Sequence, residues 1–331
     1  MKAAFHTGTK QIIVREVAKP VPREDEYLVR ITHCAICGSD TWFLDDAVAD
    51  EPIHGHEAVG VIESCGSETS RFHKGDRVVC YAIHGCGKCP ACLAGEPTRC
   101  RSMKYIEGGF REYSVYTEDL LFPYPEGVAP EIASLYSDAI GVPLRGLRRL
   151  APEKGDKVCV WGMGPLGLLQ IMFIKALGVK CVIGIDTVDA RLAKAKELGA
   201  DFVVNAAKTD AVAAIKEICG GVGADKAYTY VRNDRCTESV FASTRGGASI
   251  CTFVGLDGHY QLPEYIERTL VWSFYFTPNE YAENVEFIRS HKIDLGKVVS
   301  DVMPLDEIRQ AFHKRFECRD ESLKIVIAME K

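Results

Sequence analysis

The sequence predicts a mixed α/β protein in which a doubly wound parallel-sheet domain is inserted into a β-rich domain. Three observations carry this reading. The first third alternates apolar and polar residues and has few stretches able to support a long helix. From about residue 150 the rhythm becomes strand, turn and helix, repeated. Between these regimes four cysteines, Cys86, Cys89, Cys92 and Cys100, crowd into fifteen residues. A chain of 331 residues is long enough for about two domains.

Taken in order, the candidate strands of the first part are Ala3–Phe5, Tyr27–Ile31, Ala58–Ile62 and Asp76–Val79. In the second part, strand Lys157–Trp161 leads into a helix over Leu166–Leu177. Strand Cys181–Ile185 leads into a helix over Asp189–Leu198, stopped by Gly199. Strand Phe202–Val204 leads into a helix over Asp210–Cys219, stopped by Gly220 and Gly221. Lys226–Tyr230, Glu238–Ser243 and Ala248–Val254 continue the alternation, as a parallel doubly wound sheet requires. The tail changes texture again, with helices over Pro278–Ser290 and Leu305–Phe316 and a closing strand Leu323–Ala328. The expected domains are therefore 1–147 with 290–331, including a metal lobe at about 84–102, and 148–289.

Composition narrows the function. A net charge of −6 gives no basic face for nucleic acid, and no nucleic-acid partner is expected. The stretch Val158–Val179 is long and apolar enough for a membrane span, but Gly162, Gly164, Pro165 and Gly167 break it, so it reads as buried core and no membrane association is expected. The N-terminus lacks the features of a secretory signal, and the cysteines outside the cluster (Cys34, Cys65, Cys80, Cys159, Cys181, Cys219, Cys236, Cys251 and Cys318) read as small reduced core residues. The expected compartment is the cytoplasm.

The cluster has the spacing C-x2-C-x2-C-x7-C. Four thiolates so close together can close a tetrahedral shell around one structural Zn²⁺, and the interleaved Gly85, Gly87, Pro90, Gly95 and Pro97 suit a loop wrapped on a metal. A second set lies upstream, in Cys37-Gly38-Ser39-Asp40 and Gly55-His56-Glu57. A catalytic zinc takes three protein ligands and leaves one position open. Cys37 and His56 supply two. Asp138, an acid isolated in an apolar stretch, is the choice for the third, with Glu57 as rival or as a ligand that swings in. Asp40 is placed to accept the other imidazole N–H of His56, and His54 competes with His56 on spacing alone.

Gly162-Met163-Gly164-Pro165-Leu166-Gly167 follows an apolar strand and opens a helix, the context in which this glycine pattern cradles a pyrophosphate. Asp186 ends the next strand. A carboxylate there bonds ribose hydroxyls and repels a 2′-phosphate, which favours NAD over NADP despite Arg191 on the following helix. Capping that helix is a second role open to Asp186.

These motifs, in this order and rough spacing, resemble the zinc-dependent medium-chain dehydrogenases, a family that includes alcohol, sorbitol and threonine dehydrogenases, and the likeness spans essentially the whole chain. It implies a GroES-like catalytic domain plus a Rossmann domain, two Zn²⁺ per chain (one catalytic, one structural), and NAD. Asp138 falls where the family keeps its third zinc ligand. Val254-Gly255-Leu256 resembles the segment lining the nicotinamide, Arg191 matches a basic residue beside the adenosine ribose, and Lys324 resembles the basic residue that neutralises the pyrophosphate. The implied chemistry is hydride transfer between an alcohol and NAD, with zinc acidifying the alcohol and Ser39 receiving its proton. A serine bonding its local backbone is the blander role for Ser39.

Some positions depart from the family pattern. Trp42 stands where relatives often have a proton-relaying histidine, and an indole cannot shuttle a proton. Gly38 replaces an arginine of some simple alcohol dehydrogenases; Trp272-Ser273 and Gly141-Val142 replace Gly-Ser and Thr-Thr. Gly38, Ser39 and Glu57 lean towards a polyol, sugar or other secondary alcohol giving a ketone. Simple primary or short secondary alcohols are the alternative, and a non-catalytic zinc- and NAD-binding scaffold is a further one. Arg145, Arg148 and Arg149 read as solvated helix charges, with Arg145 facing a cleft and favouring an anionic substrate as the alternative. The resemblance also implies a homodimer or homotetramer built on the edge of the Rossmann sheet, with Ala248–Val254 apolar enough to serve.

Overall fold

The N-terminal alternation becomes an antiparallel hairpin, β1 (Lys2–His6) with β2 (Ile12–Glu16), in a computed structural model that describes residues 1–8, 11–41, 51–106, 108–255 and 267–329. The long strand β3 (Glu26–Ala35) follows, then β4 (Glu51–Pro52), which pairs with β1, and β5 (Glu57–Cys65). Tyr27, Val29, Ile31, Cys34 and Ala35 of β3 are fully buried, because this strand has sheet neighbours along both sides. After β6 (Arg77–Cys80), the short pair β7 (Ile83–His84) and β8 (Lys104–Tyr105) brackets the four-cysteine segment and its single turn α1 (Pro90–Leu93). Strands β9 (Tyr113–Thr117) and β10 (Leu121–Pro123) and the turn α2 (Pro130–Ala133) lead to α3 (Gly141–Leu150).

The second regime is a six-stranded, wholly parallel sheet. Its strands are β11 (Lys157–Trp161), β12 (Cys181–Asp186), β13 (Phe202–Asn205), β14 (Ala224–Thr229), β15 (Thr244–Thr252) and β16 (Thr269–Trp272). Between them run α4 (Pro165–Ala176), α5 (Asp189–Glu197), α6 (Ala211–Ile218) and α7 (Asp234–Ala242). The strand order β13-β12-β11-β14-β15-β16 reverses beside β11, as in a Rossmann sheet. Cys159, Trp161, Ile183, Ile185, Ile215 and Ile250 are buried in its core. The apolar stretch Val158–Val179 resolves into β11, a tight turn and the twelve-residue α4, and no helix of the described residues is long and apolar enough to cross a membrane.

The tail returns through α8 (Tyr281–Ser290), β17 (Val299–Pro304), α9 (Ile308–Glu317) and β18 (Lys324–Ala328). β18 pairs antiparallel with β3, completing the order β10-β6-β5-β3-β18-β17 with β9 also on β3. The chain thus forms two units, Met1–Gly141 with Phe276–Phe287 and Asp294–Lys331, and Val142–Tyr275 with Ile288–Ile293. The chain passes between the units after 141 and 275, and again after 287 and 293. Phe276 explains the second: its ring packs edge-on against Tyr81, 5.1 Å between centroids, in an aromatic cluster of the first unit with Phe122.

Three expectations are corrected here. Ala248–Val254 is not a sheet edge: β15 lies between β14 and β16, and among the described residues β16 ends the sheet with Leu270 and Trp272 exposed. Arg145 is buried, whereas Arg148 and Arg149 on the same helix are exposed. Among the scattered cysteines, Cys34, Cys80, Cys159, Cys219 and Cys251 are buried, but Cys65 is exposed.

The glycine-rich turn shows why glycine is required. Gly162 has φ +92°, a left-handed conformation that side chains resist, and a Cβ on Gly167 would lie 1.8 Å from the Gly162 carbonyl oxygen. Gly167→Ala therefore forces the first turn of α4 away from β11. We expect it to lower the unfolding free energy by about 1–3 kcal/mol, read as a shifted midpoint in urea denaturation.

Candidate active site

The carboxyl end of β3 runs directly into the site. Ala35 pairs with Glu57 on β5 and with Val326 on β18, so the first residues of both neighbouring strands flank the same point. Ile36 and Cys37 continue from β3 into the 3₁₀ turn Gly38–Thr41, which carries Ser39 and Asp40. Asp138 arrives from another 3₁₀ turn, Ser134–Ser137, held against this corner by a hydrogen bond from Ser137 Oγ to the His56 carbonyl, 3.3 Å.

One ligand atom each from Cys37, His56, Glu57 and Asp138 lies within 4.8 Å of the others, and all four residues are buried. Asp138 Oδ2 is 3.8 Å from Cys37 Sγ and 3.5 Å from His56 Nε2. On the far side of the imidazole, Nδ1 faces Asp40 Oδ1 at 3.3 Å, while Asp40 Oδ2 accepts from the Cys37 amide at 2.7 Å. Asp40 thereby holds both the ring of His56 and the backbone of Cys37. His54 is in neither cluster of candidate ligands.

Glu57 and Lys324 form a pair the sequence did not reveal, because 267 residues separate them. Lys324 Nζ donates to Glu57 Oε1 at 2.6 Å and to the Ile36 carbonyl at 3.3 Å. Both residues are almost fully buried, so the Lys324 ammonium is engaged by Glu57 and the Ile36 carbonyl. The signal was available only through the sheet: β5 and β18 both pair with the end of β3.

The electrostatics follow from burial and crowding. Burial alone would lower the His56 pKa, but the charges of Asp40 and Cys37 and the bond to Asp138 outweigh it and hold the pKa well above its usual value. Burial raises the Glu57 pKa against the opposing pull of Lys324. Burial would also lower that of Lys324, yet Glu57 and its neighbours keep it raised. Two buried oxygens, Glu57 Oε2 and Asp138 Oδ1, have no hydrogen-bond partner among the described residues. Such orphaned acceptors beside a thiol and an imidazole are what a cation would satisfy. The S, N and O donors fit Zn²⁺.

In the cysteine lobe, Cys86, Cys89, Cys92 and Cys100 also lie within 4.8 Å of one another. The amide of Cys86 points at Cys100 Sγ, 3.4 Å away, as does that of Ser102 at 3.3 Å. The amides of Lys88 and Cys89 lower the Cys86 pKa to about 6, favouring the thiolate, whereas burial pushes Cys92 up to about 12. Four sulfurs leave no open position, so this set suits a structural ion.

In the second unit, Gly164 has nothing within 4 Å of a Cβ built on it, and no side chain caps the α4 N-terminus there. Pro165 and Leu166 open the helix. That leaves a cradle with amides directed at it, which fits a dinucleotide pyrophosphate. Asp186 does not N-cap α5, whose N-cap is Val188. Its carboxylate accepts from the amides of Met163 (2.6 Å), Thr187 (2.7 Å) and Val188 (3.0 Å), fixing the glycine-rich turn against β12. Arg191 lies on α5, and Val254 and Gly255 follow β15. Trp42 and Leu256 lie outside the described residues.

Comparison with known proteins agrees with this geometry. Residues 23–126 match the family model of the alcohol dehydrogenase GroES-like domain, and residues 165–290 match that of the zinc-binding dehydrogenases. Sorbitol dehydrogenase of Bacillus subtilis (strain 168) is 29% identical over 99% of this chain and 97% of its own length. An alcohol dehydrogenase of Geobacillus stearothermophilus is 32% identical over 95% of this chain and 96% of its own. Among solved structures, an alcohol dehydrogenase from E. coli CFT073, complexed with NADH, superposes with a TM-score of 0.91 at 23% identity, covering 99% of each chain.

A metal can occupy the buried site only after His56 gives up its proton. Zinc uptake there is expected to strengthen as pH rises through the raised His56 pKa and to weaken below it. Zinc content after dialysis against a weak chelator at pH 5, 6, 7 and 8 checks this. Asp40→Asn, which removes the acceptor behind His56, should weaken zinc binding at this site about 10–100-fold in chelator competition.

Proposed function

The chain belongs to the zinc-dependent medium-chain dehydrogenases, and from that premise we propose that it oxidises a secondary alcohol of the polyol or sugar class to a ketone, with NAD taking the hydride. The observation that carries the reading is the buried set Cys37, His56, Glu57 and Asp138, a zinc-type donor set with Asp40 behind the imidazole. Sorbitol dehydrogenase of B. subtilis, similar to this chain over almost its whole length, supports the substrate class.

Cys37, His56 and Asp138 would hold the catalytic zinc, with Glu57 next to them; Cys86, Cys89, Cys92 and Cys100 would hold the structural one. Zinc supplies Lewis acidity that lowers an alcohol's pKa, and NAD supplies the carbon that accepts the hydride. The protein's own groups do the rest. Asp40 fixes the His56 tautomer so that Nε2 keeps its lone pair for the metal side. Lys324 balances the charge of Glu57 and restrains one of its oxygens. Ser39, half-buried on the turn between Cys37 and Asp40, would take the proton leaving the substrate hydroxyl and hand it on towards solvent. Gly162, Gly164, Pro165, Leu166, Gly167 and Asp186 form the cradle for NAD, with Arg191, Val254 and Gly255 at its margins.

The partner beyond substrate and cofactor is a second copy of this chain. Its docking site is the outer edge of β16, the last strand of the parallel sheet among the described residues. There Leu270 is 46% exposed and Trp272 59%, an apolar edge that an isolated chain would leave open to strand pairing.

Three measurements test this. NADH absorbance across polyols, sugars, amino alcohols and simple alcohols should rise most with a secondary alcohol; a preference for primary alcohols, or for NADP, would contradict the proposal. Ser39→Ala should lower kcat by about 10²-fold or more while leaving KM for NAD nearly unchanged. Trp272→Glu places a charge on the β16 edge and should lower the mass of the homodimer or homotetramer in light scattering at micromolar concentration.

A further inference from the structure

At the carboxyl ends of β14 and β15 two aromatic rings lie face to face. Tyr230, immediately after β14, stacks on Phe253, immediately after β15, with centroids 4.5 Å apart and planes within 4° of parallel. Both side chains are half-buried. The Tyr230 hydroxyl donates to Gln170 Oε1 at 2.8 Å. Gln170 lies in the middle of α4, is wholly buried, and its Nε2 has no hydrogen-bond partner among the described residues. A buried glutamine on a helix otherwise packed with Leu168, Leu169, Ile171, Phe173 and Ile174 carries a desolvation cost that packing alone does not require. The bond from Tyr230 compensates it on one side.

Phe253 is also seated against α3. A Cβ on Gly146 of α3 would lie 2.3 Å from its Cζ, so the glycine is what lets the ring sit there. The backbone of Tyr230 is fixed too: its amide donates to the Trp161 carbonyl at 3.0 Å. A Cβ on Gly162 would meet Val231 Cγ2 at 2.8 Å and Tyr230 Cβ at 3.6 Å. The segment Tyr230-Val231 therefore leans directly on the first glycine of the phosphate-cradling turn.

We infer that Tyr230, clamped by Phe253 and Gln170, is a positioning residue for the dinucleotide: it holds the Tyr230-Val231 segment against Gly162 and so sets the shape of the cradle and the affinity for the cofactor. The inference rests on the proposal that this unit binds NAD. Ligands of such sheets bind at the carboxyl ends of the strands, where the order reverses. Here those ends belong to β11 and β14, the strands that Gly162 and Tyr230 extend. The clamp joins three elements, α4, β14 and β15, across this point, and a loss of register there is felt where the backbone must approach a pyrophosphate.

The test is a titration of the full-length enzyme with NADH, followed by fluorescence, for the unmodified chain, Tyr230→Phe, Gln170→Leu, the double variant and Tyr230→Ala. Tyr230→Phe keeps the stack but strands the whole Gln170 amide, and Gln170→Leu strands the hydroxyl. Each should raise Kd for NADH about five- to tenfold. The double variant removes both polar partners and should recover most of the affinity, because burying neither group costs little. Tyr230→Ala, which also loses the stack, should weaken binding further. In steady state the single variants should raise KM for NAD by more than they lower kcat. Unchanged Kd in Tyr230→Ala, with the unmodified chain binding normally, overturns the inference alone. Affinities that follow the thermal midpoints of the variants, with no recovery in the double variant, indicate a merely structural clamp and overturn it as well. Failure of the unmodified chain to bind any dinucleotide overturns both this inference and the NAD reading beneath it.

Discussion

Asp40, Glu57, Asp138 and Cys37 are buried around His56, and Lys324 adds a buried ammonium paired with Glu57. Burying a charged group without compensation costs several kcal/mol, so this corner cannot be a stable part of the apolar core on its own. The crowding already leaves its mark: the His56 pKa is held high by the acids about it, and two carboxylate oxygens find no donor. A divalent cation held there would remove most of the imbalance. The metal is thus less an addition to the fold than the condition under which these residues can be buried together.

The scaffold meets that condition by strand adjacency. β3 ends between β5 and β18, so the first residue of each neighbour, Glu57 and Lys324, meets over Ile36 while Cys37 turns away carrying Asp40 behind it. A single register fixes four of the six charged or coordinating groups. The remaining two arrive on local devices: His56 directly before β5, and Asp138 on a turn tied to the His56 carbonyl by Ser137. The second unit works by a different means, with glycines that admit backbone where a Cβ would clash and Asp186 gathering three amides around the turn.

Much of this was legible in the sequence because it is local. The four cysteines, the glycine-rich turn after an apolar strand, and the alternation of strands and helices are all encoded within about thirty residues of chain, the reach over which spacing has geometric meaning. What escaped was long-range. The pairing of Glu57 with Lys324 depends on both strands choosing β3 as neighbour. Ala248–Val254 reads as an apolar edge, yet an apolar run suits an interior strand equally, and β16 takes the edge instead. Arg145 looks like a surface charge beside Arg148 and Arg149, but only its helix face turns inward. The Tyr230, Phe253 and Gln170 clamp joins residues from three elements and has no linear signature.

The two metal sets divide the labour physically. Four sulfurs close a shell and staple a lobe between β7 and β8; a thiol, an imidazole and carboxylates under strong mutual repulsion make an open site suited to chemistry. The most direct test is the zinc content of the purified chain by elemental analysis, beside that of Cys37→Ser. Two zinc ions per unmodified chain, falling to one in the variant with the fold intact and NADH formation lost, is the predicted result. A single zinc in the unmodified chain, or two retained by an active variant, would contradict it.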